Sequence, residues 1–325
     1  MSNQTDNTKT ALILGATGGI GGAVAEGLLA RGWRIRALNR DAAEAARRQP
    51  SFDWVQGDAM RAEDVLKAAT GADVIVHAVN PPGYRNWGQL VLPMLDNTIA
   101  AAKAVGARIV LPGTVYNFGP DVFPNVTEDS GQRPKTRKGA IRVQMERRLR
   151  AAAEESGTPV IIVRAGDFFG GARANSWFSQ AMVTPGKPVR SVTYPGKSGV
   201  GHQWAYLPDV AETMIRLIEK GEELPIFAAY HMRGHWDDDG RQMVDAVRRV
   251  LGHPVKVKAF PWWMVPLAAP FIPFMRELRE MSYLWGVPLQ MRNDKLLAAL
   301  GEEPHTPMDE AVKTSLAAIG CLPAA

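Results

Sequence analysis

Ala11-Leu12-Ile13-Leu14-Gly15-Ala16-Thr17-Gly18-Gly19-Ile20-Gly21 is the stretch that decides the fold. Its four leading apolar residues read as a buried strand, after which the spacing becomes helical through Ala23, Gly27, Leu28 and Arg31 and stops at Gly32. Between strand and helix, Gly15, Gly18 and Gly21 recur at every third position. Glycines let the backbone approach a diphosphate closely, and the free N–H groups at a helix start can donate to it. The arrangement predicts a dinucleotide cradle made of Gly15, Thr17, Gly18, Gly19, Ile20 and Gly21.

The same alternation continues outward. Further strands are expected over Arg34–Leu38, Phe52–Val55, Val74–Ala78, Arg108–Leu111 and Val160–Arg164. Helices are expected over Ala42–Arg48, Ala62–Ala69, Leu90–Val105 and Gly139–Ser156. Each crossover helix must bury its apolar stripe on a sheet, so the pattern predicts an α/β fold of Rossmann type with a doubly wound parallel sheet. Val74-Ile75-Val76 and Val160-Ile161-Ile162-Val163 are continuously apolar and suit central strands.

Past Arg164 the rhythm loosens. Gly166–Gly171 reads as a turn and Ser176–Val183 as a short helix, and Lys187–Gly201 is rich in Gly, Pro and Ser. A helix from about Pro208 to Glu219, a last strand at Ile226–Ala229 and a helix over Asp239–Leu251 capped by Asp238 or Asp239 follow. The expected division is a nucleotide-binding core over 1–180, completed by about 203–232, with 181–202 and 233–325 forming a smaller substrate lobe.

Composition narrows the classes. With 325 residues, 46% apolar and 22% charged, the chain is an ordinary globular one rather than disordered or fibrous. A single cysteine, Cys321, excludes an internal disulfide framework and a cysteine-rich metal centre. The polar stretch Met1–Lys9 lacks the basic-then-apolar order of a secretory signal and reads as a frayed tail, so a cytoplasmic setting is expected. The net charge of +5 is broken up by acidic residues, which points away from nucleic acid. Phe260–Met275 is uncharged but carries four prolines, which points away from a transmembrane segment. It suits packing in the small lobe, a pocket roof, a dimer face or association with a membrane surface.

The strand ends supply the remaining cofactor contacts. Where NAD-binding chains place a carboxylate for the ribose hydroxyls, this one has Asn39-Arg40. Arg40, with Arg36 as a second candidate, suits the 2′-phosphate of NADP, and the adjacent Asp41 leaves NAD open. Asp58, followed by Ala59, either accepts from the adenine amino group or caps the next helix. Ala78, Val79 and Asn80 end the fourth strand beside the cofactor, and Pro81-Pro82-Gly83 then turns the chain outward.

Taken together, Gly15–Gly21, Asn39-Arg40, Gly57-Asp58, Val74–Pro81, Leu111–Gly119, Arg164–Gly170 and Tyr206–Val210 resemble the extended, atypical branch of the short-chain dehydrogenase/reductase superfamily, close to its NAD-dependent epimerase/dehydratase-like and NmrA-like members. The resemblance implies a Ser or Thr after the fifth strand and a Tyr-x-x-x-Lys pair on the following helix, and by analogy a homodimer. This chain departs from that pattern: Lys138 and Arg142 stand at the expected Tyr and Lys positions, with Glu146 in its familiar place. Arg142 suits ribose or phosphate, and Lys138 is a candidate acid or base. Thr114 and Tyr116 are candidates for the missing hydroxyl. Asp167 is expected near the nicotinamide, paired with Lys138, Arg142 or Arg164. His202 is a weaker pocket candidate, and Asn175-Ser176-Trp177 would add a polar and aromatic wall.

His231 and His235 lie near Asp237-Asp238-Asp239, but their spacing matches no zinc signature, and no metal is expected. The leading expectation is an NADP-dependent oxidoreductase acting on a small carbonyl or alcohol. The alternatives are a nucleotide-sugar epimerase or dehydratase, and a non-catalytic NADP-binding redox sensor with a protein partner.

Overall fold

Apolar runs separated by glycine turns build the strands and helices of this computed structural model, which describes residues 8–81, 86–171 and 176–322. Residues 1–7, Pro82, Gly83 and Asn175, on which expectations were placed, lie outside the described residues. The first half alternates strand and helix: β1 (Thr10–Leu14), α1 (Gly19–Ala30), β2 (Arg34–Asn39), α2 (Ala42–Arg48), β3 (Asp53–Gln56), α3 (Ala62–Ala69), β4 (Val74–His77), α4 (Trp87–Val105) and β5 (Arg108–Thr114). Then come β6 (Asn125–Val126), α5 (Arg137–Ser156), β7 (Val160–Ala165), β8 (Asp167–Phe169), β9 (Ser191–Tyr194), β10 (His202–Tyr206), α6 (Leu207–Lys220), β11 (Phe227–His231) and β12 (His235–Asp237). The chain ends with α7 (Gln242–Leu251), β13 (Lys256–Ala259), α8 (Met264–Ala268), α9 (Pro273–Met281), β14 (Gln290–Met291), α10 (Asp294–Leu300) and α11 (Met308–Ala318).

Seven strands form one sheet in the order β11-β7-β5-β4-β1-β2-β3, with every neighbouring pair parallel. This is the doubly wound α/β fold expected from the alternation. β4 and β7 are buried along their whole length inside it, as their continuous apolar sequences require. Side chains of alternate residues enter opposite layers. Ile13, Val76 and Val163 pack with Val24 and Leu28 of α1 and Met214 and Leu217 of α6. Leu12, Ile75 and Ile162 pack with Val65 of α3, Leu95 of α4 and Leu149 of α5. On the first face α1 and α6 meet so closely that a Cβ on Gly27 would lie 2.3 Å from Ile215 Cδ1.

A third cluster joins Phe169, Trp204, Met243, Val247 and Leu316, beside the small β12-β10-β8 sheet. The Gly-, Pro- and Ser-rich stretch Lys187–Gly201 contains β9, which pairs in parallel with β13. The expected cap of α7 also moves. Asp237, not Asp238, receives the N–H groups of Arg241, Gln242 and Met243 at 2.9, 3.0 and 3.2 Å, and Asp239 shares that of Arg241. The turn before α7 is longer than the sequence suggests, so the carboxylate that reaches back is the buried one on β12. The Phe260–Met275 stretch divides: Phe260 and Trp262 pack on Trp177, whereas Trp263 and Phe271 are 71% and 84% exposed. No helix among the described residues is long and apolar enough to cross a membrane.

Candidate functional site

β1 lies between β2 and β4, so the chain winds away from it in opposite directions and leaves a crevice at the carboxyl ends of the strands. Gly15 follows β1 with φ +97°, and a Cβ there would lie 2.6 Å from the carbonyl oxygen of Ala78 after β4. A Cβ on Gly21 would lie 2.4 Å from the oxygen of Gly15. Gly18 donates to that same oxygen at 2.8 Å and opens α1 without any side-chain cap. Only glycine fits these approaches, and the first-turn N–H groups of α1 are not taken by a side chain, so the turn suits a diphosphate.

At the end of β2, Asn39 Oδ1 accepts from the N–H of Asp41, whose own side chain caps α2 by accepting from Glu44 N–H at 3.0 Å. Arg40 is exposed. Arg36 points elsewhere: it donates to Asp53, to the carbonyl of Ala68 and to that of Thr70, at 3.1, 2.9 and 2.7 Å, tying β2 to β3 and the end of α3. Asp58 does not cap α3. It accepts from Met60 N–H at 2.9 Å in a turn whose own N–H donates to Asp64, and α3 starts after Arg61. Ala59 is buried and its carbonyl holds Asn97, while Asn80 accepts from Trp87 Nε1 at 2.5 Å. His77, ending β4, is 2.8 Å from Thr98 Oγ1; burial first and the Arg142 charge second hold its pKa down to about 3, so it is neutral.

Thr114 ends β5 and accepts from Tyr116 N–H at 3.3 Å, starting the short turn that carries Tyr116. Gly139 presses α5 against this turn, since a Cβ there would lie 2.2 Å from Tyr116 O. Lys138 and Arg142 of α5 have separate partners. Arg142 sits with Cζ 5.2 Å from the Trp87 ring centre and donates to Pro112 O at 3.4 Å. Lys138 is buried, its Nζ 2.8 Å from a Glu277 carboxylate oxygen and 2.9 Å from the Glu277 carbonyl, while Glu280 accepts its N–H. Lys138 thus ties α5 to α9.

The expected pairing of Asp167 is corrected. Asp167 pairs with none of Lys138, Arg142 or Arg164; its Oδ2 is 3.0 Å from His202 Nε2. The His202 ring stacks on Trp285 at 3.8 Å and 9°. A small pocket opens here, lined by Val115, Gly166, Asp167, His202, Leu284 and Leu289 among others. Because Thr114 and Ala165 are register partners on β5 and β7, the pocket opens beyond the carboxyl ends of adjacent strands. A larger surface hollow, lined by Gln132, Val143, Glu146, Arg147, Arg150 and Phe227, lies along α5 toward the start of β11.

Arg164 is held instead by Glu146, through Nε–Oε1 at 2.9 Å and Nη2–Oε2 at 2.5 Å, and its Nη1 is 2.8 Å from His231 Nε2. Gln132 donates to the same carboxylate at 2.7 Å. His231 therefore belongs to an ion-pair network rather than to a metal cluster with His235. Sequence reading missed this network and the Trp285 platform, because both bring together residues remote along the chain.

A family model described as "NAD dependent epimerase/dehydratase family" matches residues 11–231. A 3-diazoavenalumate denitrifying reductase from Streptomyces is 33% identical over 132 residues, a match that spans 37% of this chain and 42% of that one. The chain therefore covers less than half the length of that curated relative. Among solved structures, UDP-glucuronic acid 4-epimerase from Bacillus cereus in complex with NAD superimposes with a TM-score of 0.74 at 14% identity, covering 95% of this chain and 98% of that one. A UDP-glucose 4-epimerase from Thermus thermophilus, also in complex with NAD, gives 0.69 at 19% identity with coverage of 95% and 98%.

Proposed function

Because the chain belongs to the NAD dependent epimerase/dehydratase family, we propose that it is an NADP-dependent oxidoreductase interconverting a small carbonyl compound and its alcohol. The observation that carries the cofactor choice is the end of β2: Arg40 is exposed there, and the nearby carboxylate, Asp41, is engaged as a helix cap. That arrangement favours a 2′-phosphate over bare ribose hydroxyls. Gly15, Thr17, Gly18, Gly19, Ile20 and Gly21 take the diphosphate, Asn39, Arg40, Asp58 and Ala59 the adenosine half, and Ala78, Val79, Asn80 and Arg142 flank the rest. The division into a nucleotide-binding core and a smaller substrate lobe is part of the same reading.

When bound, the nicotinamide supplies or accepts the hydride. The chain's own part is to place the substrate oxygen and move its proton. Thr114 and Tyr116 offer hydroxyl donors beside the pocket, and the Asp167–His202 pair can pass a proton at Asp167 Oδ2 or His202 Nε2. The Trp285 face beneath His202 keeps that ring in one orientation.

Calorimetric titration tests the cofactor reading directly. Arg40→Ala is expected to weaken NADP binding by roughly tenfold to a hundredfold, the worth of a hydrogen bond to a charged group, and to leave NAD binding nearly unchanged. Tighter binding of NAD than of NADP by the unaltered protein overturns the cofactor choice. Asp167→Asn should lower kcat on a responsive substrate by about a hundredfold with intact NADP affinity. A broad carbonyl and alcohol panel without turnover removes the oxidoreductase reading. In that event family membership favours nucleotide-sugar epimerisation, which a product screen on sugar nucleotides decides.

A further inference from the structure

Asp209 in the first turn of α6, His235 on β12 and His305 in the segment between α10 and α11 bring one ligand atom each to within 4.8 Å of one another. The sequence separates them by 26 and 70 residues (235 − 209 and 305 − 235), and only the fold assembles them. Asp209 and His235 are buried, while His305 is exposed. The two imidazoles lie with ring centres 4.4 Å apart and planes 41° inclined, side by side rather than flat-stacked. We propose that these three residues bind a zinc ion, with a solvent molecule completing a tetrahedral set.

Three observations support this. First, two imidazoles and a carboxylate are the borderline nitrogen and oxygen donors that zinc takes. Second, His235 Nε2 is buried without a hydrogen-bond partner among the described residues, an orphaned group that costs on folding unless something satisfies the ring. Third, Asp209 is already aimed: Oδ2 accepts from Thr306 N–H at 2.8 Å and Oδ1 from the Thr306 hydroxyl at 2.7 Å. Each oxygen keeps a second lone pair, and outer hydrogen bonds of this kind orient metal-binding carboxylates. Ligand atoms must close to about 3.3 Å for bonds near 2.0–2.1 Å, and the exposed His305 is the one able to swing in.

The ion would fasten the 305–306 segment to α6 and β12, a structural clamp that does not depend on the oxidoreductase reading. Full-length protein stripped with a chelator is titrated with Zn²⁺ by calorimetry and then melted with and without the ion. One ion per chain, micromolar or tighter, with a raised Tm is expected. His305→Ala, a change at an exposed position, should weaken binding at least tenfold and abolish the Tm gain, and Asp209→Asn should do the same if it folds. Absence of stoichiometric binding overturns the proposal, as does binding that His305→Ala leaves unchanged, which would place the ion on other donors such as Asp237-Asp238-Asp239.

Discussion

Glu146→Leu is expected to destabilise the protein by about 3–5 kcal/mol, the cost of leaving a buried charge without its partner. Glu146 and Arg164 have side chains only 7% and 3% exposed, joined by two parallel bonds. The remaining Arg164 nitrogen faces His231, and its Cζ lies 5.4 Å from the Phe118 ring centre. A change of Arg164 to methionine in the same chain removes the stranded cation. The Glu146→Leu/Arg164→Met pair should therefore recover most of the loss, because apolar replacements of buried ion pairs are close to neutral. Urea unfolding of the two single variants and the double variant closes the cycle. A single-variant loss below about 1 kcal/mol, or losses that simply add, would show that the pair is weakly coupled. The pair also bears on the site: it fixes α5 to the end of β7, immediately before Gly166 and Asp167 of the pocket.

How much of this was legible beforehand follows from the range of the interactions involved. Ala42–Arg48 and Ala62–Ala69 begin and end where sequence reading put them, because the Asp41 cap of α2 and the apolar periodicity of α3 act within a few residues. The glycine turn was legible for the same reason: its steric demands come from the strand ends it joins. The start of α4 was missed by three residues, since Trp87 is held by Asn80 from outside the helix. At the site, residue types were readable and partners were not. Lys138 and Arg142 share a helix face as their spacing requires, yet Glu277, 139 residues away, holds the first and a tryptophan face the second. Asp167 could be placed after β7, but its choice of His202 depends on β10 pairing beside β8. Such pairings are decided by packing of the whole chain, and a local pattern carries no trace of them.

Acidification from pH 7 to pH 5 is expected to reduce the stability of the protein by about 4 kcal/mol through two histidines, each contributing roughly 1.4 kcal/mol per pH unit below its unfolded pKa near 6.5. Burial, assisted by Arg142 at His77 and by Arg164 at His231, lowers both pKa values to about 3. The sign follows directly: in this interval the unfolded chain takes up protons that the native state refuses, so stability is full above about pH 6.5 and declines as pH falls toward 3. His235, lowered to about 4, adds to the decline in chelator-treated protein. Asp237 works the other way, since burial raises its pKa, but it is one group against three. Unfolding in urea at pH 7, 6 and 5 measures the slope before most carboxylates titrate, and a stability that is flat or rises over that interval contradicts the assignment. His77 ends β4 and His231 ends β11, so both groups that resist protonation sit at the carboxyl edge of the sheet where the cofactor is proposed to bind. Saturating NADP should therefore raise the stability at each pH while leaving the slope in place, because binding adds to the native state without supplying either ring with a proton acceptor. A slope abolished by NADP would mean that the ligand, rather than burial, sets the protonation of these two histidines.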